Sequence, residues 1–141
     1  MEKTHTQLSL TLEAAQFLAQ KAIDHGLTIG FKMNAVVVDV AGNPLVSLRL
    51  PGAPLPARDF AEKKAYTAAV YGWPTDKWAQ ILEGRPVITA GLAQHDRVAM
   101  FGGGLPVAIE GAVVGAIGVA GGKVEQDIAC AVAALEAFNS L

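Results

Sequence analysis

Cysteine and histidine, the residues on which disulfides and structural zinc sites depend, are scarce in this sequence. The single cysteine, Cys130, excludes an internal disulfide and is typical of a protein that works in a reducing compartment. The three histidines, His5, His25 and His95, lie far apart and belong to no HExxH motif or cysteine pair. The sequence therefore predicts no dedicated metal site.

Charged residues are also few. Asp, Glu, Lys and Arg make up 17% of the chain, against about a quarter in average domains. The 11 basic residues form no stripe, which argues against nucleic acid and anionic membrane surfaces as partners. With 52% hydrophobic residues, so little charge indicates that part of the surface is buried against other copies of the chain. We therefore expect a homo-oligomer, a dimer or larger.

No apolar segment of the kind that directs secretion or crosses a membrane is evident. Residues 1–7 are polar and lack the apolar region of a signal peptide. The longest apolar stretch, residues 105–122, contains Glu110 and several glycines, and β-strands explain it better than a membrane helix. We expect a single cytoplasmic domain that spans residues 1–141.

The motifs of several enzyme classes are missing as well. No Gly-x-Ser-x-Gly sequence marks a nucleophile elbow. The glycine clusters match neither the G-x-G-x-x-G motif nor a P-loop, because Val124 follows Gly121-Gly122-Lys123 where a P-loop has Ser or Thr.

The hydrophobic pattern predicts an α+β fold. Apolar residues at helical spacing and short β-branched runs between turn residues give four helices and four strands. The predicted helices cover residues 11–26, 57–71, 75–82 and 124–138, and the predicted strands cover residues 35–40, 45–50, 106–109 and 112–120. Residues 87–100 have no clear pattern, and we allow a further strand there. This order predicts an antiparallel sheet of about five strands with helices on its faces.

Lys64 is the residue that best suggests chemistry. It lies on the same side of its predicted helix as Thr67 and Tyr71, a side that otherwise faces a core or a pocket. Its amine either reaches solvent along an apolar stem, or offers a ligand a cation or a reactive amine of lowered pKa. Thr67 and Tyr71 would add a hydroxyl group and an aromatic ring to a ligand-binding face.

Arg49 and a glycine loop are further candidates. Arg49 ends a predicted strand, and is either an ordinary exposed arginine or a bidentate clamp for a carboxylate. Gly103 and Gly104 present backbone amides without side-chain cover, and form either a tight turn or an anion-binding nest. Phe101, just before them, is a candidate to stack on a planar ligand.

Two acids and one histidine complete the candidates. Glu125 and Asp127 lie in the first turn of the last predicted helix, where the helix dipole accounts for both. Either acid becomes a candidate proton acceptor if it faces a cavity. His95 is either a surface-loop residue or a weak candidate for haem-iron ligation or general-base catalysis.

Five short motifs, taken in their order and spacing, resemble the GlcG/HbpS-like family. In the first half they are residues 38–46 (VDVAGNPLV), residues 49–55 (RLPGAPL) and residues 64–68 (KAYTA). In the second half they are residues 103–107 (GGLPV) and residues 111–122 (GAVVGAIGVAGG), followed by Asp127. The similarity extends over roughly residues 8–138.

The resemblance implies a profilin-like α/β/α sandwich that assembles into dimers or larger oligomers. The family includes haem-binding proteins and the C-terminal domains of PduO-type cobalamin adenosyltransferases, so haem is an implied candidate cofactor. Two departures stand out. Pro51 occupies a position where an acid usually precedes Gly-Ala-Pro, and Phe101-Gly102 extends the Gly-Gly-x-Pro loop.

Three functions stay open on this basis. The first is a small-ligand-binding protein that holds haem or another planar carboxylate with Arg49, Lys64 and the glycine loop. The second is an enzyme that hydrolyses or tautomerises an enamine, imine or enol carboxylate, with Lys64 or Asp127 moving protons. The third is a non-catalytic accessory partner of a pathway enzyme.

Overall fold

The computed structural model describes all 141 residues, arranged as five helices and four strands. The helices are α1 (Leu12–Thr28), α2 (Leu55–Tyr71), α3 (Trp78–Ile81), α4 (Pro86–Ala93) and α5 (Val124–Asn139). The strands are β1 (Asn34–Asp39), β2 (Pro44–Arg49), β3 (Gly104–Ile109) and β4 (Ala112–Ala120). A short 3-10 turn, Thr75–Lys77, precedes α3.

The four strands form one antiparallel sheet in the order β2-β1-β4-β3. The two central strands are the most apolar and the most deeply buried, while β2 and β3 are the edges. Tight turns join β1 to β2 and β3 to β4, so the sheet consists of two hairpins, and β1 of the first pairs with β4 of the second in the middle. Asn34 at the start of β1 therefore lies beside Ala120 at the end of β4.

Helices cover both faces of the sheet, which confirms the α/β/α sandwich. On one face α1 and α5 pack together over the larger core, which includes Ala35 and Val37 of β1. On the other face α2 packs alone over a smaller core, which includes Val36 and Val38. Successive residues of β1 thus enter the two cores in turn, as in a strand that is buried on both sides.

Small residues bring α2 unusually close to the sheet. Ala61, Ala65 and Ala68 are fully buried on the inner side of α2. Gly118 of β4 lies opposite them, and a Cβ atom there would overlap the carbonyl oxygen of Ala61. Lys64, one residue from Ala65, is thereby placed against the end of β4.

The first part of residues 87–100, where the sequence allows a further strand, is helical, and no part of this segment forms a strand. Pro86 begins α4, a position that suits proline because the first turn of a helix needs no amide donor there. The β-branched residues Val87, Ile88 and Thr89 at its start are more typical of a strand. The sheet therefore has four strands.

None of the helices combines the length and the apolar character that a membrane crossing requires.

Candidate functional site

Lys64 is a completely buried lysine with a defined set of partners. Its Nζ atom donates one hydrogen bond to Asp127 Oδ2 at 2.8 Å and another to the Val119 carbonyl oxygen at 3.0 Å. The ring of Phe101 lies on a further side, with its centroid 4.8 Å from Nζ. An ammonium group has three N–H bonds, and here two point to oxygen atoms and the third side faces an aromatic ring.

The glycine loop makes the room that this lysine needs. A Cβ atom on Gly103 would lie 2.8 Å from Nζ of Lys64, and the φ angle of Gly103, 126°, is one that side chains rarely allow. A Cβ atom on Gly104 would overlap the backbone of Lys64 itself. The Gly104 amide donates to Thr75 Oγ1 at 2.9 Å. Both predicted loop glycines thus contact Lys64, Gly103 at its amine and Gly104 at its backbone.

Asp127 is held at the start of α5, where it completes the pair. Its Oδ1 atom accepts a hydrogen bond from the Gly122 amide at 2.9 Å, so both carboxylate oxygens have donors. The side chain is almost fully buried. The acid in the first helical turn thus faces inward, whereas its neighbour Glu125 is exposed to solvent.

Burial shifts the pKa values of both partners toward their neutral forms. It lowers the pKa of the Lys64 ammonium, although the hydrogen bond and charge of Asp127 oppose this shift. It raises the pKa of the Asp127 carboxyl, against the opposing effects of Lys64 and the Gly121 and Gly122 amides. The ion pair and its proton-transferred form therefore lie closer in free energy than they would for two exposed groups.

The same burial makes the cysteine unreactive. Loss of hydration, with the nearby Asp127 charge, raises the pKa of the Cys130 thiol to about 11. Cys130 is a fully buried residue of α5 and belongs to the larger core, so it acts as a small apolar side chain.

A cleft of about 340 Å³ opens beside the Lys64–Asp127 pair. Pro54, Pro56 and Phe60, from the loop before α2 and its first turns, line it together with Phe101. Residues 120–122, at the end of β4 and in the turn after it, also line the cleft. The cleft is at the low end of the size range of small-molecule sites, and it has apolar walls and a buried ion pair at its inner end.

Phe101 packs against the Lys64 amine and lines the same cleft. Its ring meets that of Phe60 edge-on, with the centroids 5.6 Å apart. Phe101 and Phe60 remain 41% and 43% exposed, which is much for aromatic side chains. Asp127 and Val119 are buried, whereas the Phe101 ring is partly open to solvent. The ring can therefore be displaced more readily than the other two contacts of Nζ.

The structure brings only some of the predicted site residues together. Lys64, Asp127 and Phe101 line the cleft. Arg49 lies at the exposed end of β2, where its guanidinium donates to the Ala53 carbonyl at 3.4 Å. Arg49 is on the α2 side of the sheet, since it pairs with Asn34, but it does not line the cleft.

Three other predicted site residues do not line the cleft: Thr67, Tyr71 and His95. Thr67 accepts a hydrogen bond from the Ala99 amide at 2.9 Å and donates one to the Lys63 carbonyl at 2.7 Å. Tyr71 packs edge-on against Trp78, with the ring centroids 4.8 Å apart. His95 stacks on Tyr66, whose ring contacts the β1–β2 turn at Gly42. The turn is at the opposite end of the sheet from the cleft.

One buried polar residue near the cleft was not singled out from the sequence. Asn34 is completely buried; its Nδ2 donates to the Pro54 carbonyl at 3.1 Å, and its Oδ1 has no partner. Pro54 and Ala120, its neighbours, both line the cleft. The only signal in the sequence is an amide side chain at the start of an otherwise apolar strand.

Comparison with known proteins identifies the family. The family model described as "Haem degrading protein HbpS-like" matches residues 10–136. The chain therefore belongs to the HbpS-like family, which confirms the resemblance found in its motifs.

Relatives of similar length support this assignment. The chain is 37% identical to an uncharacterized 15.0 kDa protein from the dhaT-dhaS intergenic region of Citrobacter freundii, and the alignment covers all of both chains. The crystal structure of Klebsiella pneumoniae ORFY superimposes with a TM-score of 0.91 at 34% identity, covering 100% of this chain and 98% of ORFY. The PduOC:heme complex superimposes with a TM-score of 0.85 at 27% identity, covering 92% of this chain and 95% of PduOC.

The Lys64→Met variant tests the energetics of the buried pair. At pH 7 we expect it to lower the free energy of unfolding by about 3–5 kcal/mol, because Asp127 keeps a buried charge without its cation. The pKa of Asp127 in the folded variant lies above its unfolded value, so the folded state gains stability as the pH falls and the carboxyl takes up a proton. The deficit relative to wild type should therefore shrink at pH 5, as measured by urea denaturation.

Two further variants make this test specific. Lys63→Met removes the adjacent, partly exposed lysine and should cost less than about 1 kcal/mol. Lys64→Met/Asp127→Leu removes both buried charges and should recover much of the lost stability. A Lys64→Met deficit that is small, or that is equal at the two pH values, would contradict the role assigned to the pair.

Proposed function

We propose that this protein binds a small, planar, carboxylate-bearing molecule in the cleft beside Lys64. The observation that carries the proposal is the environment of Nζ, which has two oxygen partners and a third side that faces the partly exposed Phe101 ring. A carboxylate that displaces this ring gives the ammonium a third charge-assisted hydrogen bond. The aromatic and proline walls of the cleft suit the flat, apolar body of such a ligand.

The Asp127 carboxylate sets a condition on anion binding. Two carboxylates beside one ammonium leave a net negative charge in a poorly hydrated place. Burial already raises the pKa of Asp127, and a second anion raises it further. The ligand carboxylate therefore binds together with a proton on Asp127, and its affinity increases as the pH is lowered.

The geometry favours binding over turnover. Proton transfer or imine chemistry by Lys64 needs the neutral amine, whereas the ion pair with Asp127 keeps a proton on Nζ. Arg49, the other residue considered for holding a substrate carboxylate, does not line the cleft. Lys64 and Asp127 accordingly act as a binding pair.

Haem deserves a separate test, because PduOC, a relative, forms a complex with heme. The cleft residues fit part of this molecule: Phe60 and Phe101 suit a porphyrin edge, and Lys64 suits a propionate. They do not fit its iron, since the cleft lining contains no histidine, cysteine, methionine or tyrosine. The cleft therefore suits the planar ring and the propionates of haem but offers no ligand for its iron.

Self-association is part of the proposed function as well. The low share of charged residues supports it, and so does α4, an apolar helix that has no buried residue and lines no part of the cleft.

The ligand proposal is tested with planar aromatic acids. We expect benzoate or cinnamate to bind in a calorimetric titration, and the matching neutral amide to bind at least about tenfold more weakly, since it lacks the charge that Lys64 recognises. Ala57→Trp fills the cleft without touching the ion pair and should abolish binding, whereas Ala112→Trp, at an exposed strand end, should not. Equal binding of acid and amide, or unchanged binding by Ala57→Trp, would contradict the proposal.

Porphyrins test the role of iron. Metal-free protoporphyrin IX and hemin carry the same two propionates, so we expect their affinities to agree within a few-fold and the Soret band of hemin to show no nitrogen or sulfur ligand from the protein. Hemin binding much tighter than that of the metal-free porphyrin, with a ligand-shifted Soret band, would show that the iron is ligated and would contradict this reading of the cleft.

A further inference from the structure

The two aromatic rings of the cleft each have an ammonium group beside them. Phe60 and Phe101 both line the cleft, and their ring centroids are 5.6 Å apart. The Nζ atom of Lys64 lies 4.8 Å from the centroid of Phe101. The Nζ atom of Lys63 lies 5.6 Å from the centroid of Phe60. The aromatic pair is therefore flanked by two positive charges, and only that of Lys64 has been given a role so far.

The two lysines differ in what surrounds their amines. Lys64 is completely buried, and its Nζ atom is bound to the Asp127 carboxylate and the Val119 carbonyl oxygen. Lys63 is partly exposed, and no carboxylate of the chain lies within ion-pair distance of its Nζ atom. The charge of Lys63 therefore has no counterion within the chain.

The acids nearest to Lys63 in sequence are engaged by another residue. An acid four residues before a lysine on a helix normally pairs with it, and Asp59 has this position relative to Lys63. In the structure Asp59 Oδ1 lies 3.5 Å from the guanidinium of Arg58, and Glu62 Oε1 lies 3.6 Å from the same group. Lys63 is placed against Phe60 instead, with its charge available to an anion from outside the chain.

We propose that the ligand of the cleft is a planar dicarboxylate, with one carboxylate at Lys64 and the other at Lys63. This inference rests on the proposed binding of a carboxylate beside Lys64 and names a narrower class of ligand for the same cleft. The flat body of the ligand packs against Phe60 and Phe101. Its two carboxylates lie at opposite ends of that body, because each ammonium group is beside a different ring.

The charges of the site accommodate this second carboxylate. The first one binds beside the Lys64–Asp127 pair, where the excess negative charge is relieved by a proton on Asp127. The second one meets the unpaired charge of Lys63, so it requires no further proton. Because Lys63 is partly exposed, water and salt screen this contact, and its contribution to affinity is modest.

Lys32 is another cation in this region, and the structure favours Lys63 over it. The Lys32 amine lies against Gly52, a residue that does not line the cleft. The Lys63 amine lies against the ring of Phe60, which does line it. Lys32 therefore serves as a comparison in the test.

The test compares terephthalate with monomethyl terephthalate by calorimetric titration of the full chain. The two compounds share the planar ring and one carboxylate, and the ester lacks the second negative charge. We expect the diacid to bind about fivefold more tightly than the monoester at low salt. This advantage should shrink at about 1 M salt, because a partly exposed charge pair is screened.

Variants assign the advantage to one lysine. Lys63→Met should bring the affinity of the diacid down to that of the monoester, and should change the affinity of the monoester less than about twofold. The matched control is Lys77→Met, which removes a lysine that also lies over an aromatic ring, 5.3 Å from the centroid of Trp73, outside the cleft. Lys77→Met and Lys32→Met should both keep the advantage of the diacid.

Three results would overturn the inference while leaving the proposed function intact. They are equal binding of diacid and monoester to the wild type, an advantage that persists in Lys63→Met, and an advantage that is lost in Lys32→Met. If neither compound binds to the wild type, the inference and the proposed function are both overturned.

Discussion

The buried ion pair between Lys64 and Asp127 is the interaction on which the arrangement of this end of the molecule depends. It joins α2 on one face of the sheet to α5, which packs on the other, and its third partner, the Val119 carbonyl, belongs to β4 between them. Removing either charge would leave the other one buried and unpaired, which is far more costly than losing an exposed ion pair. The pair thus ties all three layers together near the cleft.

Several features of the surrounding sequence serve to accommodate this pair. The alanines of α2 and Gly118 of β4 let the helix approach the sheet, so that a lysine side chain can reach the end of β4. Gly103 leaves space for the amine, and the Gly122 amide holds the second carboxylate oxygen. A hydrophobic pair would fill the same space without the cost of desolvation. The proposed ligand recognition gives a reason for retaining ions beside an open cleft.

The fold was largely predictable because its signals are local. Short β-branched runs on either side of turn residues predicted the first hairpin, and the pairing of β1 with β2 confirms it. The one segment that could not be assigned, residues 87–100, contains α4, whose β-branched residues compete with the helix-start signal of Pro86. A surface helix is normally identified in a sequence by its apolar side and its polar side, and α4 has no polar side.

The site was only partly predictable because its contacts are not local. Lys64 and Asp127 were each candidates, but they are 63 residues apart in sequence, and only the packing of α2 and α5 around β4 makes them a pair. The spacing of a helix shows which residues share a face, and it grouped Lys64 with Thr67 and Tyr71. It does not show where that face leads, and Tyr71 lies instead in an aromatic cluster with Trp73 and Trp78.

The most direct test of the account is the pKa of the Asp127 carboxyl, followed through its ¹³C chemical shift in the presence and absence of saturating benzoate. The account predicts a pKa above the ordinary value for aspartate in the free protein, and a further rise when the carboxylate is bound, because the second anion competes for Lys64. An Asp127 pKa that stays the same in the presence of bound benzoate would show that the anion does not reach the pair, and would contradict the account.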